Sequence, residues 1–262
     1  MIRGPLFGAV AVWAVFICAS TAQAQGDVYW HIDPGVKTCS MVIDPSLTQA
    51  QWHTFVQQVG AHSSYKTLSS AMPVGRMRFQ IALDYMSSPV DQHDPAWINT
   101  FTHPNANCPL GDAISYPAVR ARLGVTDRMD VGGYWTMAPN ANYGLVGAEL
   151  EYGFLQESEK SPAAAVRASV STLTGVPDFN FSVYSLEALA SKHMARVVPY
   201  LGFRGSLAVG TETTSKVNLQ SERVPVAQGY AGMTYAFWGI SLAAEYDIST
   251  INTFAFAIGH GF

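Results

Sequence analysis

Arg76-Met77-Arg78-Phe79-Gln80-Ile81-Ala82-Leu83-Asp84-Tyr85 alternates with a period of two. Met77, Phe79, Ile81, Leu83 and Tyr85 share one side; Arg76, Arg78, Gln80, Ala82 and Asp84 share the other. Successive side chains of an extended strand point to opposite faces, so the pattern predicts a two-faced strand over Val74–Ser87. A helix would space its apolar residues three to four apart instead.

The same period recurs downstream. Val119, Ala121, Leu123 and Val125 alternate with Arg120 and Arg122. After a Thr126-Asp127 turn, Met129, Val131, Gly133, Trp135 and Met137 alternate with Arg128, Asp130, Gly132, Tyr134 and Thr136. Val146–Phe154 carries Glu149 and Glu151 on its polar side. Ala163–Gly175 and Phe179–Ser191 are less regular. Arg196–Gly210, the hairpin Val224–Phe237 and Ile240–Ile248 around Trp238-Gly239, and Ile251–Phe262 complete the set. The expected total is about ten strands, within a range of about 8 to 12, each long enough to cross a bilayer at a tilt. The longest connections, Ser88–Tyr116 and Thr211–Arg223, fall on the same side if the first strand runs outward.

Upstream the period is lost. In Gln49–Gly60, Trp52, Phe55, Val56 and Val59 recur at helical spacing. Ser46 is the expected N-cap, with Gln49 as its capping-box partner, and Gly60 the expected stop. Residues 25–73 then form a short helical segment that lies in the periplasm or enters the lumen of the strand region as a plug. The helix has an apolar stripe that must be buried.

The first residues read as an export signal. Arg3 precedes the apolar run Leu6–Ala19, and Ala22-Gln23-Ala24 fits small-x-small cleavage. The expected division is signal 1–24, segment 25–73 and strands 74–262. Removing residues 1–24 removes Arg3 and no acid, so the formal charge moves from −4 to −5. That acidity argues against a nucleic-acid partner. Cys18 follows Ile17, which is too large for a lipidation site. Cys39 and Cys108 remain, and an oxidising compartment allows them to pair as a disulfide.

Only 13% of the chain is charged while 48% is hydrophobic. Soluble domains carry about 25% charged residues. Aromatic residues gather near strand ends: Trp135, Tyr152, Phe154, Tyr235, Phe237, Trp238, Tyr246 and Phe262. Aromatic girdles belong at lipid–water interfaces. A sheet in lipid has no water for its edges and must close. The fold class is therefore all-β, a transmembrane antiparallel up-and-down β-barrel, preferred over a soluble sandwich.

These features resemble Gram-negative outer-membrane β-barrel proteins. The resemblance covers about residues 74–262. Leu123–Gly132 resembles a turn-and-strand pattern of porin-like families, and Gly147–Gly175 is similar to poorly characterised outer-membrane proteins. The resemblance implies the bacterial outer membrane, lipid as partner and no catalytic residues. It also implies that the barrel-assembly machinery reads Phe262, supported by Phe254, Phe256 and Ile258.

With the apolar side in lipid, the other side lines a lumen. That side holds Arg76, Arg78, Asp84, Arg120, Arg122, Arg128, Asp130, Glu149, Glu151, Arg167, Arg204, Glu245 and Asp247. Arg forms bidentate pairs with carboxylates. A barrel of this size is narrow. The expectation is a structural barrel, or a narrow pore for small anionic or zwitterionic solutes, without cofactor or metal. The alternative is an outer-membrane protease or lipid hydrolase using Asp91, His93 and Asp94 on a long loop, with His103 the nearest addition. His31, His53, His62, His93 and His103 lack metal-ligand spacing and read as scattered surface residues, and His260 falls near the inner rim.

Overall fold

A computed structural model describes residues 40–102, 112–137, 141 and 143–262. The expected export signal, Cys39, Cys108, His31 and His103 lie outside the described residues. Strand β1 (Ser40–Met41) precedes helix α1 (Gln49–Ser63). Then come β2 (Phe79–Pro89), α2 (Pro95–Ile98), β3 (Phe101–Thr102), β4 (Ala113–Gly124), β5 (Met129–Met137), β6 (Gly144–Leu155) and β7 (Ala163–Thr174). The chain ends with β8 (Phe179–Ser191), β9 (Val197–Glu212), β10 (Glu222–Phe237), β11 (Ile240–Ile248) and β12 (Thr253–Gly261).

Ten strands, β2 and β4 to β12, form a closed antiparallel up-and-down barrel. Closure joins the last strand to the first, with Ile258 opposite Leu83 and Ala257 opposite Asp84. At the seam, Phe262 and Phe79 exchange backbone hydrogen bonds of 2.7 and 3.1 Å. No edge is left for unpaired backbone groups. The end bearing Phe262 and the short turns is the terminal rim; the end bearing residues 90–102 and 213–221 is the loop rim.

The outer wall is apolar in register. Leu242, Ile258, Leu83, Val119 and Trp135 sit opposite one another across β11, β12, β2, β4 and β5. All five are exposed. Val166, Ala188 and Phe203 continue the belt across β7, β8 and β9.

Helix α1 lies inside the barrel, against β8, β9 and β10. Its N-cap is Thr48, whose side chain accepts from Gln51 while the Gln51 side chain accepts from the Thr48 backbone. The expected cap at Ser46 is thus displaced by two residues. Ser46 instead donates its hydroxyl and backbone N–H to Asp44, which holds the Asp44 carboxyl below its usual range. The apolar stripe Trp52, Phe55, Val56 and Val59 is buried. It meets Phe179, Phe181, Ala208, Val224 and Val226 of the wall, under a lid containing Trp97 and Phe101. Each such side chain gains about 1.5–3 kcal/mol from burial.

Gly60 does not stop the helix, which continues to Ser63. A Cβ at Gly60 would approach the Ala208 Cβ to 2.6 Å. Gly60 is there because the helix must touch the wall. The helix end is satisfied by Lys66, whose Nζ donates to the carbonyls of Ala61, His62 and Ser64 at 3.3, 2.9 and 3.2 Å. A cation at this position also complements the helix dipole.

Gly60→Val is expected to push α1 off the wall and to destabilise the folded barrel by about 1–3 kcal/mol, the usual cost of overpacking. Urea unfolding of protein in detergent, read by tryptophan fluorescence, checks this. Unchanged stability would show that the helix is loosely held.

Candidate functional site in the lumen

Beneath the apolar half of the lumen lies a ring of charges. Its positions are set by strand register. Asp130 on β5 stands opposite Glu151 on β6, Glu151 opposite Arg167 on β7, and Arg167 opposite Glu187 on β8. Glu187 stands opposite Arg204 on β9, and Arg204 opposite Gln228 on β10. Directly opposed side chains are the interacting unit of a sheet. Here six consecutive strands place a polar group at one level.

The arginines tie this ring together. Arg122 reaches from β4 to Asp130, Glu149 and Glu151 at 3.0, 2.9 and 3.1 Å. Arg167 pairs with Glu151 and, at 2.8 Å, with Glu187. Arg204 pairs with Glu187 at 2.8 Å and Asp247 at 2.9 Å. Its guanidinium also sits 4.9 Å from the centre of the Tyr230 ring. Arg120 holds Asp84 through two hydrogen bonds of 2.7 and 3.1 Å. All are buried. A planar guanidinium with five donors can serve several acceptors at once, which lysine cannot do as well. Room for the cluster comes from Gly132, where a Cβ would lie 2.7 Å from Glu149 Oε1.

The segment after α1 threads this ring. Ser64 donates to Gln228 at 2.7 Å, and Gln228 donates to the Ala61 carbonyl at 3.0 Å. Thr67 donates to Glu149. Ser69 Oγ accepts from Arg122 at 2.7 Å and from Arg167 at 3.0 Å. Arg167 also donates to the carbonyls of Ser69 and Ser70 at 3.2 and 3.0 Å. The backbone N–H groups of Ala71 and Val74 donate to Ser191 and Asp130 at 3.1 and 2.7 Å. Arg122 and Arg167 therefore bind wall carboxylates and the threaded segment together.

Among the described residues, the buried acids of the lumen are Asp84, Asp130, Glu149, Glu151, Glu187, Glu245 and Asp247, against Arg120, Arg122, Arg167, Arg204 and Lys66. Acids outnumber cations.

Ten of the thirteen residues expected in the lumen are buried on the inner face. Arg76, Arg78 and Arg128 are corrections, because they are exposed at the terminal rim. The strand starts only at Phe79, so its alternation does not carry Arg76 and Arg78 inward. Arg128 belongs to the turn before β5. Sequence reading missed Glu187, Gln228 and Lys66. Glu187 shares its face with Phe179, Phe181 and Val183, so an apolar-out rule points it the wrong way.

His62 is also a correction. It is buried, its Nδ1 lies 2.6 Å from Ser88 Oγ on β2, and its ring packs edge-on to Tyr116 at 4.7 Å. Asp91 and Asp94 are engaged in local turns. Asp91 accepts the His93 backbone N–H at 2.9 Å, and Asp94 caps α2 by accepting the Ala96 N–H at 2.8 Å. The loop thus uses these carboxylates structurally. At the terminal rim, burial raises the Glu157 carboxyl. Hydrogen bonds from the His193 ring and backbone at 2.7 and 3.0 Å outweigh it and hold the group below its usual range. Phe254, Phe256, Ile258 and Phe262 are exposed on the outer wall and at the terminal rim, where His260 packs on Phe262.

No protein family matches the chain by sequence, and no curated protein does. Solved structures similar to it include three bacterial proteins. Ail, the attachment invasion locus protein of Yersinia pestis, is 13% identical, covering 71% of this chain and 99% of its own, with a TM-score of 0.32. Neisserial surface protein A is 13% identical, with coverages of 70% and 95% and a TM-score of 0.30. The outer membrane protein OprG from Pseudomonas aeruginosa is 10% identical, with coverages of 74% and 99% and a TM-score of 0.32.

Arg167→Met leaves Glu151 and Glu187 without their shared cation and frees the carbonyls of Ser69 and Ser70. Breaking a buried pair by removing one partner costs about 3–5 kcal/mol. The variant is expected to unfold at correspondingly lower urea, with Arg167→Lys in between. A variant as stable as the parent would mean that the ring is not a stabilising element.

Proposed function

We propose that this chain is a bacterial outer-membrane barrel that carries its own stopper and does not conduct in its resting state. The exposed apolar belt faces lipid, and Trp238, 94% exposed, and Phe262 lie at the membrane interface of the terminal rim. No described helix is long and apolar enough to span a membrane, so crossing would be by strands. The short turns then face the periplasm and the long loops the exterior. Phe262, with Phe254, Phe256 and Ile258, is presented for the barrel-assembly machinery.

The observation that carries the stopper is the double duty of Arg122 and Arg167. Each guanidinium bonds wall carboxylates and Ser69 at once. An open pore would leave these donors to water; here the chain itself takes them. The function supported is that of a membrane-anchored platform closed from loop rim to terminal rim. Solutes pass only if the segment is displaced, and the acid surplus of the ring then favours small cations.

Planar bilayer recordings test this reading. The intact protein is expected to give no steady openings. Arg167→Met is expected to add intermittent, cation-selective ones. Long-lived conductance from the unaltered protein would overturn the stopper.

A further inference from the structure

The threaded segment enters at one rim and leaves at the other. At its upstream end the chain is fixed to the loop rim. Ser40 and Met41 pair with Thr102 and Phe101. The backbone N–H groups of Val42 and Asp44 donate to Thr100 and Asn99 at 3.0 and 2.8 Å. That of Ile43 donates to Asp178, in the connection between β7 and β8, at 2.9 Å. Gln49 exchanges bonds with Gln220 of the 213–221 loop. At its downstream end the chain is at the opposite rim. Met77 N–H donates to the Gly124 carbonyl at 2.8 Å, and β2 begins at Phe79 beside Phe262. Between these points it crosses the lumen once, as α1, about 22 Å long at 1.5 Å per residue, and then as the segment through the charged ring.

A single crossing puts the two ends of the crossing segment on opposite sides of the membrane. The C-terminal side of the segment continues into β2 at the terminal rim. The N-terminal side is left at the loop rim. We infer that the barrel holds the Ser40 end of the threaded segment on the cell surface, and that a peptide joined upstream of it is displayed there. The inference rests on the proposed reading that the loop rim faces outward.

The segment is not free to slip back. Withdrawal toward the periplasm would draw Trp52, Phe55 and the β1–β3 pairing through the ring closed by Arg122, Arg167 and Arg204. Withdrawal outward is barred by the covalent link to β2. The display is therefore a fixed state of the folded barrel.

Three epitope insertions in the full chain test this on intact cells: between Gly26 and Asp27, beside Ser215 in the 213–221 loop, and between Glu159 and Lys160 in a terminal-rim turn. Folding of each is checked by heat-modifiable gel mobility. If an N-terminal insertion fails to fold, Ser46→Cys replaces it. Ser46 is exposed on the loop rim and is read with an impermeant maleimide against the unaltered protein. The expected result is full antibody signal before permeabilisation for the Gly26 and Ser215 insertions, and signal only afterwards for Glu159. A surface-exposed Ser215 tag with an N-terminal probe hidden until permeabilisation overturns the inference and leaves the orientation standing. A surface-exposed Glu159 tag with a hidden Ser215 tag overturns both.

Discussion

Everything inside this barrel depends on how a buried guanidinium is kept satisfied. Arg122, Arg167 and Arg204 sit where water has been replaced by protein. Leaving a charge there unpaired is prohibitive. The sheet solves this by register: opposite charges stand on nearby strands, so Arg167 and Arg204 find carboxylates on both sides and Arg122 finds three on β5 and β6. Wall groups do not use every donor. Those of Arg122 and Arg167 that remain select a chain bearing hydroxyls and free carbonyls, and Ser69 and Ser70 supply them, while Thr67 donates to the wall carboxylate Glu149. The ring and the threaded segment are thus one hydrogen-bonded object.

That constraint explains why the lumen has two halves. The ring is crossed by a single non-helical stretch of chain, bonded to it through Thr67, Ser69 and Ser70. Above it the barrel has room for a helix, and a helix entering a closed space must bury its stripe against something apolar. Phe179, Phe181, Val183, Val224 and Val226 therefore turn inward on strands that carry Glu187, Gln228 and Tyr230 on the same face lower down. One strand face changes character along its length because its contents change.

The same division marks where the sequence was legible. Strand number, the hairpin at Trp238-Gly239 and the bounds of β5, β8 and β11 were readable because alternation and turn residues are local signals. Ten lumen charges were readable because charge on one face of an alternating strand has nowhere else to go. Glu187 was hidden for the opposite reason: its face is apolar above it, and only the helix, remote in sequence, accounts for that. The same remoteness misled the reading at Gly60, which a local rule takes as a helix end and the packing uses as a contact with Ala208. His62 looks like a surface residue until β2 brings Ser88 to it. Arg76 and Arg78 were misplaced for another reason, since their period-two spacing continues past the point where backbone pairing of β2 stops. Alternation tells which side a residue takes, not where the sheet ends.

The two ends of the threaded segment differ in how they are held, and this sets how the barrel could open. The downstream end continues covalently into β2 through residues 75–78, so it cannot depart. The upstream end is held by short backbone pairing at the loop rim, near water, where hydrogen bonds contribute little net stability. Release would therefore begin at β1 and α1. It would expose Trp52, Phe55, Val56 and Val59, together with the wall residues they cover, before any guanidinium–carboxylate bond of the ring was disturbed. The apolar helix thus guards the ring. Water reaches the arginines only after the helix has left, and while the helix stays, the low-dielectric surroundings keep the ion pairs strong. The closed state is layered: burial above shields the charge pairing below.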